Sequence, residues 1–274
     1  MTPSVAVVGG GISGLAAAQR LRVLLGPGAA LSVFEQTPRL GGLLKTVPLA
    51  GQAFDVGAEA FLTRRPEMLD LLAELGLNDQ LVHPAAVSAS VRAGGQTHRL
   101  PGRTIMGIPS SVASMREVLS ADGLAQLAAE PHRALSWAPG SDVAVGALVR
   151  ERFGAEVVAR SVDPLLGGVY SGHADSLGLR AAVPTLALAL DRGAPSLLAA
   201  AASAAPTPTP GVPVFGALRE GYQRLVSSLQ AAATSIRLSC PVVELDSNDA
   251  QWWLRTATGP WERFDAVVLA LPAP

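Results

Sequence analysis

The feature that most constrains the fold is an apolar segment that runs directly into a glycine-rich turn and then into a helical pattern. Four apolar residues, Val5 to Val8, precede glycines at positions 9, 11 and 14, and apolar residues then recur at helical spacing. A second apolar segment, residues 30–34, ends on Glu35. This order predicts a buried strand, a tight turn, a helix and a second parallel strand.

The spacing of the glycines is typical of a turn that binds a dinucleotide, with a plain turn as the alternative. Gly9 would permit the tight turn, Gly11 would let a pyrophosphate approach the backbone, and Gly14 would let the helix pack closely on the strand. The helix would begin at Ile12 and Ser13, so that its N-terminal amides face the phosphates.

Glu35 and the residues after it select among the dinucleotides. An acid at the end of the second strand would accept hydrogen bonds from ribose hydroxyls and disfavour a 2′-phosphate, which predicts FAD or NAD rather than NADP. The following run, with Gln36, Arg39, Gly41 and Gly42, resembles the second fingerprint of the amine oxidase-like flavoproteins. That resemblance implies that the arginine and the glycine pair hold the pyrophosphate of FAD. A surface turn built on the proline and first glycine of the run is the alternative.

A third segment, residues 54–67, opens with a Phe-Asp-x-Gly run that resembles the part of the same family that runs beneath the isoalloxazine ring. The resemblance implies that Gly57, Ala58 and Glu59 contact the FAD. Asp55 is equally well interpreted as a turn residue.

Three later segments narrow the resemblance to one branch of that family. They are residues 100–111, 162–172 and 175–184. Through them the chain resembles the protoporphyrinogen and coproporphyrinogen oxidases of haem synthesis over almost its whole length. In a further segment that fits the family, residues 215–229, the Gly-Gly pair usual before the helix is replaced by Glu220 and Gly221.

The resemblance implies an enzyme that uses FAD and dioxygen to oxidise a porphyrinogen, either coproporphyrinogen III to coproporphyrin III or protoporphyrinogen IX to protoporphyrin IX. The flavin would do the chemistry, so no catalytic side chain and no metal site are expected. Arg92 would meet the propionates of the substrate, with an exposed strand arginine as the alternative. Gly168, Val169 and Tyr170 would line the substrate cavity.

The predicted fold class is α/β, a Rossmann-like FAD-binding sheet interrupted by a mainly helical insertion, with the C-terminal part of the family fold absent. Residues 1–92 and 213–274 would form the FAD-binding domain, and residues 93–212 the insertion on the substrate and membrane side. Within the insertion, Ser141 is expected to cap a helix that ends at Gly154. Near the end of the chain, strands at 240–245 and 251–256 should enclose a turn, and a strand at 266–271 should rejoin the first sheet.

Composition excludes several other classes of function. Charged residues make up 16% of the chain and the net charge is −1, so a nucleic acid is not expected as a partner. The single cysteine, Cys240, excludes an intramolecular disulfide and favours the cytoplasm. No membrane span or signal peptide is predicted, although the resemblance implies peripheral contact with a membrane.

Several alternatives stay open at this point. The chain could be a catalytically inactive flavin-binding fragment or another amine oxidase-type flavoenzyme, such as a carotenoid desaturase or a monoamine oxidase. A homo-oligomer and a complementary chain are both open as protein partners.

Overall fold

The computed structural model describes residues 2–85, 89–205, 213–248 and 251–272. The chain divides into two compact units, of which the first comprises Met1–Ala85 with Val212–Pro274 and the second comprises Ala86–Gly211. None of the helices in the described ranges is both long and apolar enough to cross a bilayer.

Short strands and helices alternate along the chain. The strands are β1 (Ser4–Val8), β2 (Ala30–Phe34), β3 (Thr46–Leu49), β4 (Gln52–Asp55), β5 (Phe61–Leu62), β6 (Leu81–Val82), β7 (Ser90–Ala93), β8 (Gln96–Arg99), β9 (Thr104–Ile105), β10 (Ile108–Pro109), β11 (Phe215–Leu218), β12 (Ser235–Arg237), β13 (Val242–Asn248), β14 (Gln251–Thr256), β15 (Trp261–Phe264) and β16 (Ala266–Leu269). The α-helices are α1 (Ile12–Leu25), α2 (Pro66–Glu74), α3 (Ala121–Ala129), α4 (Val145–Phe153), α5 (Ala155–Val157), α6 (Asp163–Tyr170), α7 (Leu179–Ala182), α8 (Pro184–Asp191), α9 (Leu197–Ala204) and α10 (Gln223–Gln230).

A parallel sheet of four strands, in the order β12-β2-β1-β16, organises the first unit. Side chains of β1 alternate between its two faces, as the pleat requires. Val7 packs with Ala18 of α1 on one face, whereas Ala6 packs with Leu254 and Phe264 of the antiparallel sheet β13-β14-β15 on the other. Both faces of β1 are therefore covered, which explains its unbroken apolar sequence.

The predicted α/β class with a parallel sheet is confirmed, and so is the return of the last strand to the first sheet. Strand β16 pairs in parallel with β1 from Val5–Ala266 to Val8–Leu269. The predicted turn after residue 245 is wrong, because β13 continues to Asn248 and Asp246 pairs with Trp253 of β14. The Pro- and Thr-rich linker predicted at 205–213 lies mostly outside the described residues.

The second unit is mainly helical, as the pattern predicts, and one of its helix starts differs from the prediction. Helix α4 ends at Gly154, which has a φ of 92°, but it begins at Val145 rather than beside Ser141. The preceding residues are extended instead, because Val145 donates to the carbonyl of Leu177 and Leu179 donates to that of Val143.

The division between the units differs from the predicted boundary at residue 92. Strands β7 and β8 form one antiparallel hairpin, and both belong to the second unit. A boundary after Arg92 would divide β7 and assign the two paired strands of this hairpin to different domains. The structural division at 85–86 leaves it whole.

Candidate dinucleotide site

Two of the three motif glycines are required by the packing of the chain itself. Gly9 has a φ of 113°, and a Cβ there would lie 2.3 Å from the carbonyl oxygen of Ala270. A Cβ on Gly14 would lie 1.9 Å from the carbonyl oxygen of Gly9. Real Cβ atoms do not approach so closely, so only glycine allows α1 to start this near to β1 and β16.

Gly11 differs, because neither its backbone conformation nor its protein neighbours require glycine. Its φ is −75°, which any residue can adopt. A Cβ at this position would have its nearest neighbour, the Cα of Gly42, at 4.0 Å. The space beside Gly11 is part of a cavity, and the first turn of α1 above it carries no acidic residue. The absence of a side chain therefore keeps open a place where a ligand can approach helix-terminal amides.

Glu35 lies directly after β2 and is 8% exposed. Its carboxylate accepts a hydrogen bond from the backbone N–H of Gly10 at 2.7 Å and one from that of Thr37 at 2.8 Å. Burial opposes ionisation, but the hydrogen bonds from Thr37 and Gly10 and the charge of Arg39 outweigh it and lower the pKa of Glu35. Glu35 is thus an ionised acceptor that fixes the glycine-rich turn, and each of its oxygens retains a further lone pair.

Arg39 and the glycine pair form a second turn that folds against the first. The Arg39 guanidinium donates to the carbonyl oxygens of Leu40, Gly42 and Leu44 at 3.1, 2.6 and 3.0 Å. Gly41 donates to the carbonyl of Gly10 at 2.8 Å. The structure therefore gives Arg39 a positioning role within the chain, because it closes the turn that carries Gly42 to the cavity.

These two turns open onto a cavity of about 670 Å³. Eight of the residues predicted from the sequence to bind the cofactor line it: Gly9, Gly11, Ile12, Ser13, Glu35, Gln36, Arg39 and Gly42. Gly14 and Gly41 support the turns from behind. The volume falls within the range of about 300–1,000 Å³ that is usual for small-molecule sites.

The opposite wall of the cavity was not predicted from the sequence. Val242, Val243 and Leu245 of β13, together with Cys240, supply it. They reach Glu35 because the backbone N–H of Cys240 donates to the carbonyl of Glu35 at 2.9 Å. The only local signal was the apolar strand pattern itself, which does not reveal that the strand borders a site.

Gly57, Ala58 and Glu59, predicted to contact the cofactor, do not line this cavity. A Cβ on Gly57 would lie 1.9 Å from the carbonyl oxygen of Leu43, and the N–H of Ala58 donates to the same oxygen at 3.1 Å. Their contact with a cofactor stays a prediction. What the structure shows is that Gly57 and Ala58 pack against the segment that follows Gly42.

Asp55, in the same segment, holds the start of helix α10. Its carboxylate accepts from the backbone N–H of Tyr222 at 3.1 and 3.2 Å and from the hydroxyl of Thr46. Thr46 in turn accepts from the N–H of Gln223 at 2.9 Å. This contact satisfies amides at a helix N-terminus and explains the aspartate without a ligand.

The residues predicted to bind the substrate lie in the second unit. Arg92 is exposed on β7, and Gly168 and Val169 are exposed near the end of α6. Tyr170 is 43% exposed and donates its hydroxyl to the carbonyl of Ala182 at 3.0 Å. Within the second unit β7 contacts α6, so these residues belong to neighbouring elements.

A comparison with family profiles decides the relationship that these turns suggest. The profile of the flavin-containing amine oxidoreductases matches residues 12–274. The chain belongs to this family. The helix after the glycine-rich turn and Glu35 both lie within the part of the chain that matches this flavin-containing family.

Individual members of the amine oxidoreductase family are also similar to the chain. It is 50% identical over 275 residues to a coproporphyrinogen III oxidase of Mycobacterium tuberculosis, with 100% of this chain and 60% of the relative covered. It is 47% identical over 271 residues to the coproporphyrinogen III oxidase of Mycobacterium leprae, with 99% and 60% covered. The chain thus spans about 60% of the length of these relatives.

A solved structure supports the same relationship. The crystal structure of a "Putative protoporphyrinogen oxidase" from Exiguobacterium sp. 255-15 matches with a TM-score of 0.81 and 29% identity. The match covers 99% of this chain and 60% of that one. The described fold is therefore that of the corresponding part of a flavin-containing amine oxidoreductase.

Removal of the Glu35 carboxylate is expected to weaken flavin retention. In Glu35→Ala the N–H groups of Gly10 and Thr37 lose their acceptor, so the glycine-rich turn loses its fixed geometry. The ratio of flavin to protein absorbance in the purified variant measures the effect. Asp70→Ala, at an exposed position on α2, is the matched control. Equal flavin content in the two variants would remove Glu35 from the site.

Proposed function

We propose that this protein is part of an FAD-dependent oxidase that converts coproporphyrinogen III to coproporphyrin III with dioxygen as the acceptor. The cofactor assignment rests on one observation about Gly11. The packing of the chain does not require a glycine at this position, and the residue lines the cavity. Family membership supports a flavin, and the ionised Glu35 at the end of β2 supports a dinucleotide without a 2′-phosphate.

The residues of the first unit fit the adenosine and pyrophosphate portion of FAD. The amides at the start of α1 and the open face of Gly11 would receive the pyrophosphate. The free lone pairs of Glu35 would accept from ribose hydroxyls, and the apolar wall of Val242 and Val243 would contact the flat adenine base. Arg39 would act by holding Gly42 in place, since its guanidinium already binds three carbonyl groups.

When bound, FAD would supply the redox chemistry by accepting electron pairs from the substrate and passing them to dioxygen. Oxidation of the macrocycle removes six hydrogens in three two-electron steps. The chain itself would bind and orient the dinucleotide and would present Arg92 to a carboxylate of the substrate. The resemblance and the exposed position of Arg92 on β7 support this role.

We propose coproporphyrinogen III rather than protoporphyrinogen IX as the substrate because of the names and identities of the similar proteins. The two mycobacterial relatives, at 50% and 47% identity, are named for coproporphyrinogen III, whereas two similar proteins named for protoporphyrinogen are 33% and 29% identical. Close relatives share a substrate more often than distant relatives do, so this difference in identity favours coproporphyrinogen III.

The proposal is tested by visible spectroscopy followed by turnover. Purified protein should show the absorbance bands of an oxidised flavin, and anaerobic coproporphyrinogen III should bleach them. Air should then restore the bands and produce coproporphyrin fluorescence. Bound flavin that coproporphyrinogen III does not bleach would contradict the proposal and favour a catalytically inactive flavin-binding protein. Bleaching by a carotenoid precursor or an amine instead would assign another activity within the family.

Arg92→Ala is expected to raise the KM for coproporphyrinogen III by about tenfold while leaving flavin content unchanged, since a lost charge-assisted hydrogen bond costs about 1.5–3 kcal/mol. Steady-state kinetics on the flavin-loaded enzyme measure the change. Arg192→Ala, at an exposed position after α8, is the control for loss of a surface arginine. An unaltered KM would show that Arg92 does not bind the substrate.

A further inference from the structure

The second unit contains a second cavity that the proposed cofactor site does not use. Its volume is about 820 Å³, and it lies between the end of β8, the turn before β9 and the 3-10 helix Val112–Met115. All of its lining residues fall between positions 89 and 118. It shares no residue with the dinucleotide cavity, so an inference drawn from it does not depend on flavin binding.

Basic residues outnumber acidic ones in the lining of this cavity. Three exposed arginines, Arg99, Arg103 and Arg116, line it together with one exposed acid, Glu117. In the part of the chain that the structure describes, the guanidinium groups of Arg103 and Arg116 form neither an ion pair nor a hydrogen bond. Like charges that converge in a concave surface raise its positive potential and attract anions.

The Ser111 hydroxyl adds a donor beside these arginines. Ser111 and Ser114 both line the cavity, but the Ser114 hydroxyl donates to the carbonyl of Ser111 at 2.7 Å. The Ser111 hydroxyl oxygen accepts from the N–H of Ser114 at 3.3 Å, which leaves the Ser111 proton available for a ligand. Guanidinium forks and hydroxyl protons together are the donors that carboxylate and phosphate groups prefer.

The backbone at Arg103 determines which substitution best tests its side chain. Arg103 has a φ of 53°, in the left-handed region where glycine is the usual residue. The Ser110 hydroxyl donates to the Arg103 carbonyl and helps to fix this conformation. Glycine would adopt this conformation with less strain, so Arg103→Gly is a substitution that suits the local backbone.

From the charge, the Ser111 hydroxyl and the volume, we infer that this cavity binds a small organic molecule with two or more oxyanion groups, either carboxylates or phosphates. The volume exceeds that needed for a single inorganic anion and lies in the usual range of small-molecule sites, about 300–1,000 Å³. Arg103 and Arg116 are the principal ligand-binding residues, and Ser111 is a further donor.

The test uses citrate and pyrophosphate as probes in isothermal titration calorimetry with the purified protein. Binding of citrate alone identifies a polycarboxylate ligand, and binding of pyrophosphate alone identifies a phosphate ligand. Arg103→Gly removes the guanidinium and suits the local backbone, so it should keep the fold while weakening Kd by about tenfold or more. Arg116→Gln should weaken Kd similarly.

Two further variants separate this site from other causes of binding. Arg192→Gln removes an exposed arginine that does not line the cavity and should leave Kd unchanged. Binding that Gly11→Ala abolishes but Arg103→Gly preserves would belong to the dinucleotide cavity and would overturn the inference. Absence of binding by both probes would overturn it as well.

Discussion

Gly11→Ala is expected to weaken flavin retention strongly while the protein keeps its fold. The added methyl group meets no protein atom closer than 4.0 Å, so packing within the chain should be unaffected. The same methyl group occupies the place where a pyrophosphate would approach the start of α1. Overpacking of this kind costs about 1–3 kcal/mol, which corresponds to roughly a ten- to hundredfold weaker affinity. Flavin content and the apoprotein melting temperature measure the two effects separately.

Two other glycine variants serve as controls for Gly11→Ala. Gly28→Ala adds a methyl group in open space outside the cavity and should change neither flavin content nor melting temperature. Gly14→Ala places a methyl group 1.9 Å from the carbonyl oxygen of Gly9 and should impair folding itself. If Gly11→Ala retains flavin as fully as Gly28→Ala does, the dinucleotide site is wrongly placed.

The first βαβ unit could be predicted from the sequence because its determinants are local. Strand β1, the glycine-rich turn and α1 follow one another within twenty-two residues, and the register of the acid after β2 follows from strand length. Known turn geometry also predicted why glycine is needed at Gly9, for the tight turn, and at Gly14, for close packing of the helix on the strand. The structure shows the atoms that enforce them.

What the sequence did not reveal depends on contacts between distant positions. Asp55 caps a helix that begins with Gln223, and Cys240 pairs with the carbonyl that follows β2. Neither partner can be inferred from local spacing. Ser141 is a plausible cap by residue type, but pairing of Val143 with Leu179 keeps its neighbourhood extended. Tertiary hydrogen bonds decided the outcome in each case, against or beyond the local preference.

Neutralisation of Glu130 is expected to produce the largest loss of stability in the second unit. Glu130 and Arg152 are 0% and 3% exposed and lie 2.7 Å apart. The carboxylate also accepts from the N–H groups of Leu197 and Leu198 at 2.8 and 3.1 Å, at the start of α9. One side chain therefore joins α4 to α9 and satisfies amides that would otherwise be buried without partners.

Glu130→Gln should lower the free energy of unfolding by about 3–5 kcal/mol, because the Arg152 charge would remain buried without a counter-charge. The NH2 group of the new glutamine would also face N–H donors of Arg152, Leu197 or Leu198, which now donate to the carboxylate. Urea denaturation followed by the helical circular dichroism signal measures the change, since the second unit holds most of the helices in the described residues.

The matched control for Glu130→Gln is Asp175→Asn, which neutralises the partner of Arg150 on the same helix α4. That pair is also 2.7 Å apart, but its side chains are 44% and 56% exposed. Water and salt can replace a lost contact there, so the free energy of unfolding should stay within experimental error. Equal losses in Glu130→Gln and Asp175→Asn would contradict the view that burial, rather than distance, sets the contribution of each pair. A large loss only in Glu130→Gln would show that the helical unit depends on a charge that its interior cannot leave unpaired.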